Sequence, residues 1–532
     1  MNRRRTARGG GVAGAIGSAI GAAVGGAIEG AVGVVASGAS GRKVTRAIGV
    51  GIGVTVAGAI ALALGGCASP LGIAPQSKPL APAQAGIDAA APPAPLLAAD
   101  WWRSLGDAAL DALVERALAE QPTLKVTAAR LARARAALAA AEAAREPQAS
   151  ATLDATRQRF SANSIYPPPL GGSLRTIASL QLDAAWEIDF FGRQGEAIAA
   201  AAGSARAAEA DVAAARLVLA TNVVRAWAQL GRLHEQRDIA RRTLAQREQM
   251  HGLVAERARA GLDTRLELHR SEATLPELRQ QIEQIDEQIG LVRHALTALS
   301  AQPVAALPAL EPRAAAAGAL RLPSVLPADL LGRRADIAAA RWRVEAAAGE
   351  LRVARAQFYP NVNLIAFAGA ASIGLDRLLR AGSEQYGVGP ALSLPVFDAG
   401  RLRANLRARA ADLDAAVESY NAAVLEAVHD TADQLGSLDA IARQQREQEA
   451  TAAATDAAYA LAAQRWRAGL GNRLMLLEAE SAVLAQQRSA SELRWRRLDT
   501  EIALVKALGG GYAAADAAAD RARPEASIAT TR

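Results

Sequence analysis

The sequence predicts a mainly α-helical chain built as two equivalent halves, each joining a set of long helices to a short pair of β-strands. Three observations predict it. Arg257, Arg259, Ala260, Gly261 and Leu262 recur 208 positions later as Arg465, Arg467, Ala468, Gly469 and Leu470, and Gly192-Arg193, Leu266, Leu268 and Glu272 recur at the same offset as Gly400-Arg401, Leu474, Leu476 and Glu480. Two proline-free stretches, roughly 193–258 and 401–468, would each be on the order of 100 Å long as helices at 1.5 Å per residue. Just before each Gly-Arg marker the hydrophobic period changes to two. A copied unit of about 200 residues means two equivalent halves, not the 20–50-residue units of a solenoid.

The first half occupies 99–300. Asp100-Trp101-Trp102 and Leu110-Asp111-Ala112-Leu113 open a short amphipathic helix ending near Gln121-Pro122. A helix rich in Ala, Leu and Arg then runs from about Thr123 to Arg145, and Pro147 stops it. From Ser173 to Phe190, Leu174, Thr176, Ala178, Leu180, Leu182, Ala184, Trp186 and Ile188 fall on one face; Ser173, Arg175, Ser179, Gln181, Asp183, Glu187 and Asp189 fall on the other. That is a strand with one apolar and one polar side. In the second half, 328–512, Tyr386, Val388, Leu392, Leu394 and Val396 alternate with Gln385, Gly387, Gly389, Ala391 and Ser393 in the same way. Segments 149–160 and 361–372 are the expected hairpin partners.

Helices this long cannot bury themselves in a compact globule, so they must lie along one another as coiled coils or close a tube. The shorter helices fit that arrangement. Segments 123–146 and 263–300 together match the first long helix, and 328–358 and 472–508 match the second, so two short helices stacked end to end lie beside one long one. The Ala-Gly-Leu elements are turns at the far tips, where Gly261 and Gly469 supply the left-handed conformation that ends a helix. The Pro- and Ala-rich linker 301–327 is expected to leave the bundle as an equatorial side structure, and 513–532 to be a disordered tail.

A formal charge of +7 would invite a nucleic-acid partner. Arg3, Arg4, Arg5, Arg8, Arg42, Lys43 and Arg46 against Glu29 place +6 of it before Cys67, so the remainder is near neutral and nucleic acid is discarded. Cys67 is the only cysteine, which excludes an internal disulfide. Before it come Arg42, Lys43 and Arg46, then an apolar run from Ala47 to Leu64, then Leu64-Gly65-Gly66-Cys67: a basic n-region, an h-region and small residues at a cleavage point. This ending resembles a bacterial lipobox, with Gly65 where Ala, Ser or Thr is commoner, and implies that Cys67 becomes an acylated amino terminus on a Pro-rich tether, 67–98. Residues 1–66 then form an N-terminal extension and a lipoprotein signal peptide. The Gly-Ala repetition of 1–41 reads either as close helix packing in a membrane or as a start site placed too far upstream.

Further motifs carry a family resemblance. In order they are Trp101-Trp102, Trp186-Glu187-Ile188-Asp189-Phe190-Phe191-Gly192-Arg193, both Ala-Gly-Leu turns, Leu326-Pro327-Ala328-Asp329-Leu330-Leu331-Gly332-Arg333-Arg334-Ala335-Asp336-Ile337, Phe358-Tyr359-Pro360, Leu394-Pro395-Val396-Phe397-Asp398-Ala399-Gly400-Arg401 and Lys506-Ala507-Leu508-Gly509-Gly510-Gly511-Tyr512. Together they resemble the TolC family of outer-membrane efflux channels, in its lipoprotein branch, over nearly all of 96–512. Ala335 stands where that family usually has Pro, and Gln121 where Asn commonly precedes Pro122; both departures touch helix starts. The resemblance implies a homotrimer in the outer membrane whose chains share a 12-stranded transmembrane β-barrel above a long α-helical periplasmic barrel. Four strands per chain are too few to close a barrel alone, since the smallest bacterial examples have about eight. It also implies passive exit of small molecules such as drugs or toxic compounds, driven by an inner-membrane pump of the RND type through a periplasmic adaptor. No cofactor is implied beyond covalent lipid on Cys67.

By the same resemblance Asp456, which precedes Gly469 by between three and four helical turns, lies near where the family places charged rings that close the duct. Three such carboxylates converging on a threefold axis would repel, and could select cations or be latched by Arg465; a solvated helix charge is the plain alternative. Arg257, Gly261, Leu262, Arg465, Gly469 and Leu470 are candidate adaptor-docking residues, or simply turn formers. Asp456 aligns with Glu248 and Arg465 with Arg257, whereas Ala258 faces Trp466 and Asp263 faces Gly471 across the offset, and a gate that moves one half against the other needs such differences. No catalytic or metal site is expected: His234, His251, His269, His294 and His429 are scattered with no H-E-x-x-H, and Gly509-Gly510-Gly511 lacks the Lys-Ser/Thr of a phosphate loop. A periplasmic adaptor lipoprotein and a lipid-anchored cell-wall enzyme are the competing readings. The duplicated strand-plus-long-helix unit argues against the first, and the absence of a catalytic cluster against the second.

Overall fold

A computed structural model describes residues 69–88, 97–163, 165–306, 310, 312, 320, 322–323, 325, 329–398 and 400–512. The signal segment 1–66, Cys67 and the tail 513–532 lie outside the described residues. Two compact units are present. One, Pro70–Leu394 with Gly400–Arg532, carries the elements below; in the other, Pro395–Ala399 supply neither helix nor strand among the described residues.

The elements follow in the order α1 (Ala108–Glu120), α2 (Pro122–Ala143), β1 (Gln148–Arg159), β2 (Leu174–Ile188), α3 (Arg193–Arg259), α4 (Arg265–Leu299), α5 (Ala335–Ala356), β3 (Asn361–Ile373), β4 (Glu384–Ser393), α6 (Arg401–Arg467) and α7 (Arg473–Ala507). The tryptophan pair stands apart from α1. Trp101–Leu105 forms its own 3-10 turn, Gly106 at φ 72° ends it, and Asp107 Oδ1 then caps α1 by accepting from Ala109 N at 2.8 Å and Leu110 N at 3.2 Å. Helix α2 starts on Pro122, where no N–H donor is needed. Gln121 caps nothing in α2; its Nε2 donates to Ala298 O at 3.2 Å and ties α2 to the end of α4. Strand β4 stops at Ser393, short of the expected Val396, because Pro395 has no N–H to offer a ladder.

Helices α3 and α6 have 67 residues each, α2 and α5 have 22, and α4 and α7 have 35. Helix α3 packs against α2, α4, α5 and α7, and α6 packs against α5 and α7. The chain therefore forms four columns: α2 with α4, then α3, then α5 with α7, then α6. Two short helices do serve each long neighbour. The repeat is not a single offset. The long helices and their partners α4 and α7 stand 208 apart at both ends, whereas α2 and α5, and the starts of β1 and β3, stand 213 apart, so the second strand pair and its loop are five residues shorter. Small residues let α3 and α5 approach closely: a Cβ on Gly349 would lie 2.9 Å from Ala200 Cβ, and one on Gly203 would lie 3.1 Å from Ala346 N.

The strands form one antiparallel sheet in the order β1-β2-β3-β4, so β1 and β4 are open edges within the chain. Direct partners share a face. The register therefore gathers Ala149, Ala151, Leu153 and Ala155 with the apolar row of β2, Val362, Leu364, Ala366 and Ala368 of β3, and Tyr386, Val388 and Leu392 of β4. Leu153, Leu182, Tyr386 and Val388 on this face are exposed by 55% or more. The opposite face carries a hydrogen-bonded row in which Gln385 Nε2 donates to Gln181 Oε1 at 2.9 Å and Gln181 Nε2 to Asp183 Oδ1 at 2.6 Å. It is less purely polar than β2 alone predicts, since β3 adds Ile365, Phe367 and Ile373. The Phe367 ring lies over Gly387, where a Cβ would come within 2.6 Å of it.

The main core gathers Trp101, Trp102, Leu110, Val114, Trp227, Leu230, Leu296, Trp495 and Leu498. Trp227 Nε1 donates to Asp107 Oδ2 at 3.0 Å and Trp495 Nε1 to Glu235 Oε2 at 2.6 Å, which satisfies these two of the four buried indoles. Leu310 and Leu320 of the linker are buried in the same cluster and Leu322 packs against it, so these residues of 301–327 stay on the bundle, whereas Val304 and Val325 are exposed. The stretch read as a tether is likewise held. Asp414 Oδ1 accepts from Gln76 N at 2.7 Å and Ser77 N at 2.8 Å, Asn421 Oδ1 accepts from Leu80 N at 2.7 Å, and Ile87 is buried with Leu330, Val424 and Leu504. Two α6 side chains thereby take up backbone donors that a Pro-rich strand cannot satisfy by itself.

Candidate functional site at the hairpin tips

Each long helix turns back on its neighbour through the same five residues. In the first hairpin Gly261, at φ 72°, donates to Ala258 O at 3.1 Å and Leu262 N to Arg257 O at 2.8 Å; in the second Gly469, at φ 70°, donates to Trp466 O at 3.0 Å and Leu470 N to Arg465 O at 2.8 Å. A left-handed residue at this point closes the helix and satisfies two of its last carbonyls, which is why glycine occupies it in both copies. Thr264 caps α4 by accepting from Glu267 N at 3.3 Å, and Asn472 caps α7 by accepting from Met475 N at 2.8 Å. With the backbone so fixed, Leu262 and Leu470 point into solvent, 70% and 73% exposed. The six tip residues are thus turn formers that also present an apolar side chain.

The charges differ between the copies. Arg257 Nε pairs with Asp263 Oδ2 at 3.0 Å, whereas Arg465 faces Gly471 in place of that carboxylate and makes no ion pair among the described residues. Glu248 pairs with Arg279 Nη2 at 2.9 Å, whereas Asp456, its counterpart, would need a partner at 487, which is Gln487. Asp456 is exposed and makes no ion pair among the described residues. The first hairpin pairs these two charges, Arg257 and Glu248, and the second leaves their counterparts, Arg465 and Asp456, without an ion pair among the described residues. Trp466 replaces Ala258 and lies 5.9 Å from the Arg473 guanidinium, and Pro276 interrupts α4 where α7 has Leu484. Applying the offset to residue 279 as well as to 248 would have found the missing Asp456 partner in the sequence.

The chain does not bring Asp456 and Arg465 together. They are nine residues apart on α6, two and a half helical turns, so they project from opposite faces about 13 Å apart along the axis. A latch between them must join two copies of the chain. Among the described residues no group of three His, Cys, Asp or Glu side chains is placed to hold a metal ion, and no helix is long and apolar enough to cross a membrane.

The Outer membrane efflux protein family model matches residues 113–302 and 326–510, one block for each half, with their far ends 208 apart. The multidrug resistance outer membrane protein MdtP of Escherichia coli strain K12 is 34% identical over 431 residues, covering 78% of this chain and 87% of that one. The fusaric acid resistance protein FusA of Burkholderia cepacia is 38% identical over 351 residues, 64% of this chain and 66% of FusA, so the match spans just under two thirds of that relative. The crystal structure of the outer membrane protein VceC from Vibrio cholerae superposes with a TM-score of 0.70 at 33% identity, covering 78% of this chain and 99% of VceC. The chain belongs to the outer membrane efflux protein family. It is an outer-membrane efflux channel component that extends into the periplasm.

Proposed function

We propose that three copies of the chain close into a passive exit duct for small molecules such as drugs or toxic compounds, with an acyl chain on each Cys67, no cofactor and no catalysis of its own. A periplasmic adaptor would dock on the tips and an RND-type inner-membrane pump would supply the energy. The observation that carries this reading is a two-faced sheet with both edges open, β1 and β4, on a chain whose terminal helical columns are α2–α4 and α6. Four strands cannot close a barrel, and three copies supply twelve. Purified protein in a planar bilayer should give discrete openings and run as a trimer in detergent. A silent bilayer with a monomeric protein would refute the duct and return the adaptor reading. Intact-mass measurement of the mature protein should show acyl mass at Cys67; an unmodified thiol there would remove the anchor.

Within this duct the gate assignment falls on the second hairpin, where Asp456 and Arg465 make no ion pair among the described residues. Three Asp456 carboxylates, each about 8 Å or one Debye length from a permeating cation, would together favour it by roughly 0.6 kcal/mol, a preference of about 2–3-fold. Asp456→Ala should reduce cation preference by about that factor or raise conductance. Gln487→Arg, which gives Asp456 the partner that Glu248 has in Arg279, should reduce the preference in the same direction. Reversal potentials in a salt gradient read both effects, and unchanged values in both variants would make Asp456 an ordinary surface charge.

A further inference from the structure

The apolar face of the sheet ends in two arginines. On the edge strand β1 the row Ala149, Ala151, Leu153 and Ala155 continues as Arg157 and Arg159, opposite Thr176 and Leu174 of β2. Both arginines are exposed, and neither makes an ion pair among the described residues. The strand end beyond them is fixed: Phe160 is buried, its ring meets Tyr166 edge-on at 5.1 Å, and its N–H donates to Ser173 O at 2.9 Å. Height places them as well. Trp186 marks the helix-side boundary of the same face, with its Nε1 hydrogen-bonded to Arg145 O at 3.0 Å, as an interfacial indole requires. From Trp186 to Thr176 is ten residues of β2, about 33 Å along the strand and roughly 25 Å in height at the tilt of a membrane barrel. That is the thickness of the apolar band, so the Arg157–Thr176 row falls at the headgroups of the leaflet remote from the helices.

The local charge is unbalanced. Segments 157–177 and 374–384 hold Arg157, Arg159, Arg175, Arg377 and Arg380 against Asp376 and Glu384, a net +3 for each chain. Arg377 and Arg380 lie 4.0 and 3.9 Å from Asp376, Arg175 is on the opposite face beside Ser173 Oγ, and the Glu384 carboxylate accepts from Gly382 N at 2.6 Å. Arg157 and Arg159 are the cations left facing the lipid side. We propose that they form a binding site for the phosphate groups of an outer-leaflet glycolipid, two forks on one strand face that hold phosphate oxygens in bidentate hydrogen bonds. The site rests on the barrel reading above. It would fix the height of the channel in the membrane at the end opposite the helices.

The full-length channel, purified in mild detergent, tests this with lipid A carrying its two phosphates and with the dephosphorylated form as probes, binding being read by native mass spectrometry. The wild type should prefer the phosphorylated probe. The double variant Arg157→Ala/Arg159→Ala should bind it about tenfold more weakly or worse, the double Lys variant should keep part of the affinity, and Arg175→Ala should match the wild type. Equal binding by the double Ala variant, or an equal loss in Arg175→Ala, overturns the site. So does unchanged lipid binding with a trimer that dissociates more easily in both the double Ala variant and Glu384→Gln, because the arginines then serve Glu384 of a second copy. Single-channel conductance is recorded first. A wild type that does not conduct fails as a barrel, whereas normal conductance with unchanged lipid binding overturns only the phosphate site.

Discussion

Replacing Leu262 and Leu470 together by aspartate is expected to abolish export in cells while leaving the purified channel intact. Both side chains stand on closed turns and are 70% and 73% exposed, so neither contributes to a core within the chain. Surface substitutions of this kind change stability by roughly 0.5 kcal/mol or less. Burying a leucine against a partner is worth about 1.5–3 kcal/mol, and an aspartate in that place adds the cost of desolvating a charge, so losing both should weaken adaptor binding by on the order of a hundredfold or more. Resistance of a channel-deleted strain carrying the variant, adaptor binding by surface plasmon resonance and the melting temperature of the purified trimer separate the two effects. Full resistance with unchanged adaptor binding would leave these leucines as turn residues alone.

The repeat made most of this architecture legible. Gly261 and Gly469 were readable because a left-handed position leaves a single residue type at one spot, and the period-two row of β2 was readable because a strand with one face in lipid must alternate. Isolated residues were harder to read. Nothing in the local sequence of Asp456 distinguishes it from Glu248; the difference lies on the neighbouring helix, at Arg279 and Gln487, and emerges only when two helices are laid side by side. The segment 70–88 reads as a linker because its composition is that of one, while the residues that hold it, Asp414 and Asn421, lie more than 330 positions away. The lipid-facing Arg157 and Arg159 were hidden for another reason. Strand β1 is short of apolar residues, and its faces are identified only by register against β2.

Several of the family motifs also meet at one point, and the second large effect is expected there. Arg334 is buried at the start of α5, donating Nη1 to Ala507 O at 3.1 Å and Nε and Nη2 to the Asp336 carboxylate at 3.1 and 2.7 Å. Gly509, at φ 88°, lies so close that a Cβ would fall 2.0 Å from Arg333 O. With Ala335 in the usual place of proline, the helix start depends on this Arg–Asp pair and on Asp336 Oδ1 accepting from Ile337 N at 2.9 Å. Burial alone would raise the Asp336 carboxyl, but the hydrogen bonds and charge of Arg334 outweigh it and hold the group below its ordinary value. Arg334→Met should therefore cost about 2–3 kcal/mol at neutral pH, less than a fully buried pair because the Asp336 side chain is 49% exposed and can rehydrate. The sign with pH follows from the depressed folded-state value. In the wild type this contribution is complete above the unfolded carboxyl pKa near 3.9 and is lost as pH falls through the lower folded value. In the variant the contribution of Arg334 is gone and only the backbone N–H groups of Ile337 and Asp336 still oppose burial, so the carboxyl lies higher than in the wild type and the gap between the two proteins should narrow below about pH 4. Denaturant melts of the detergent-solubilised trimer at pH 7 and pH 3.5 measure both quantities. Adding Asp336→Asn to the variant should recover part of the loss at pH 7, and a gap that is the same at both pH values would exclude the pair as its source.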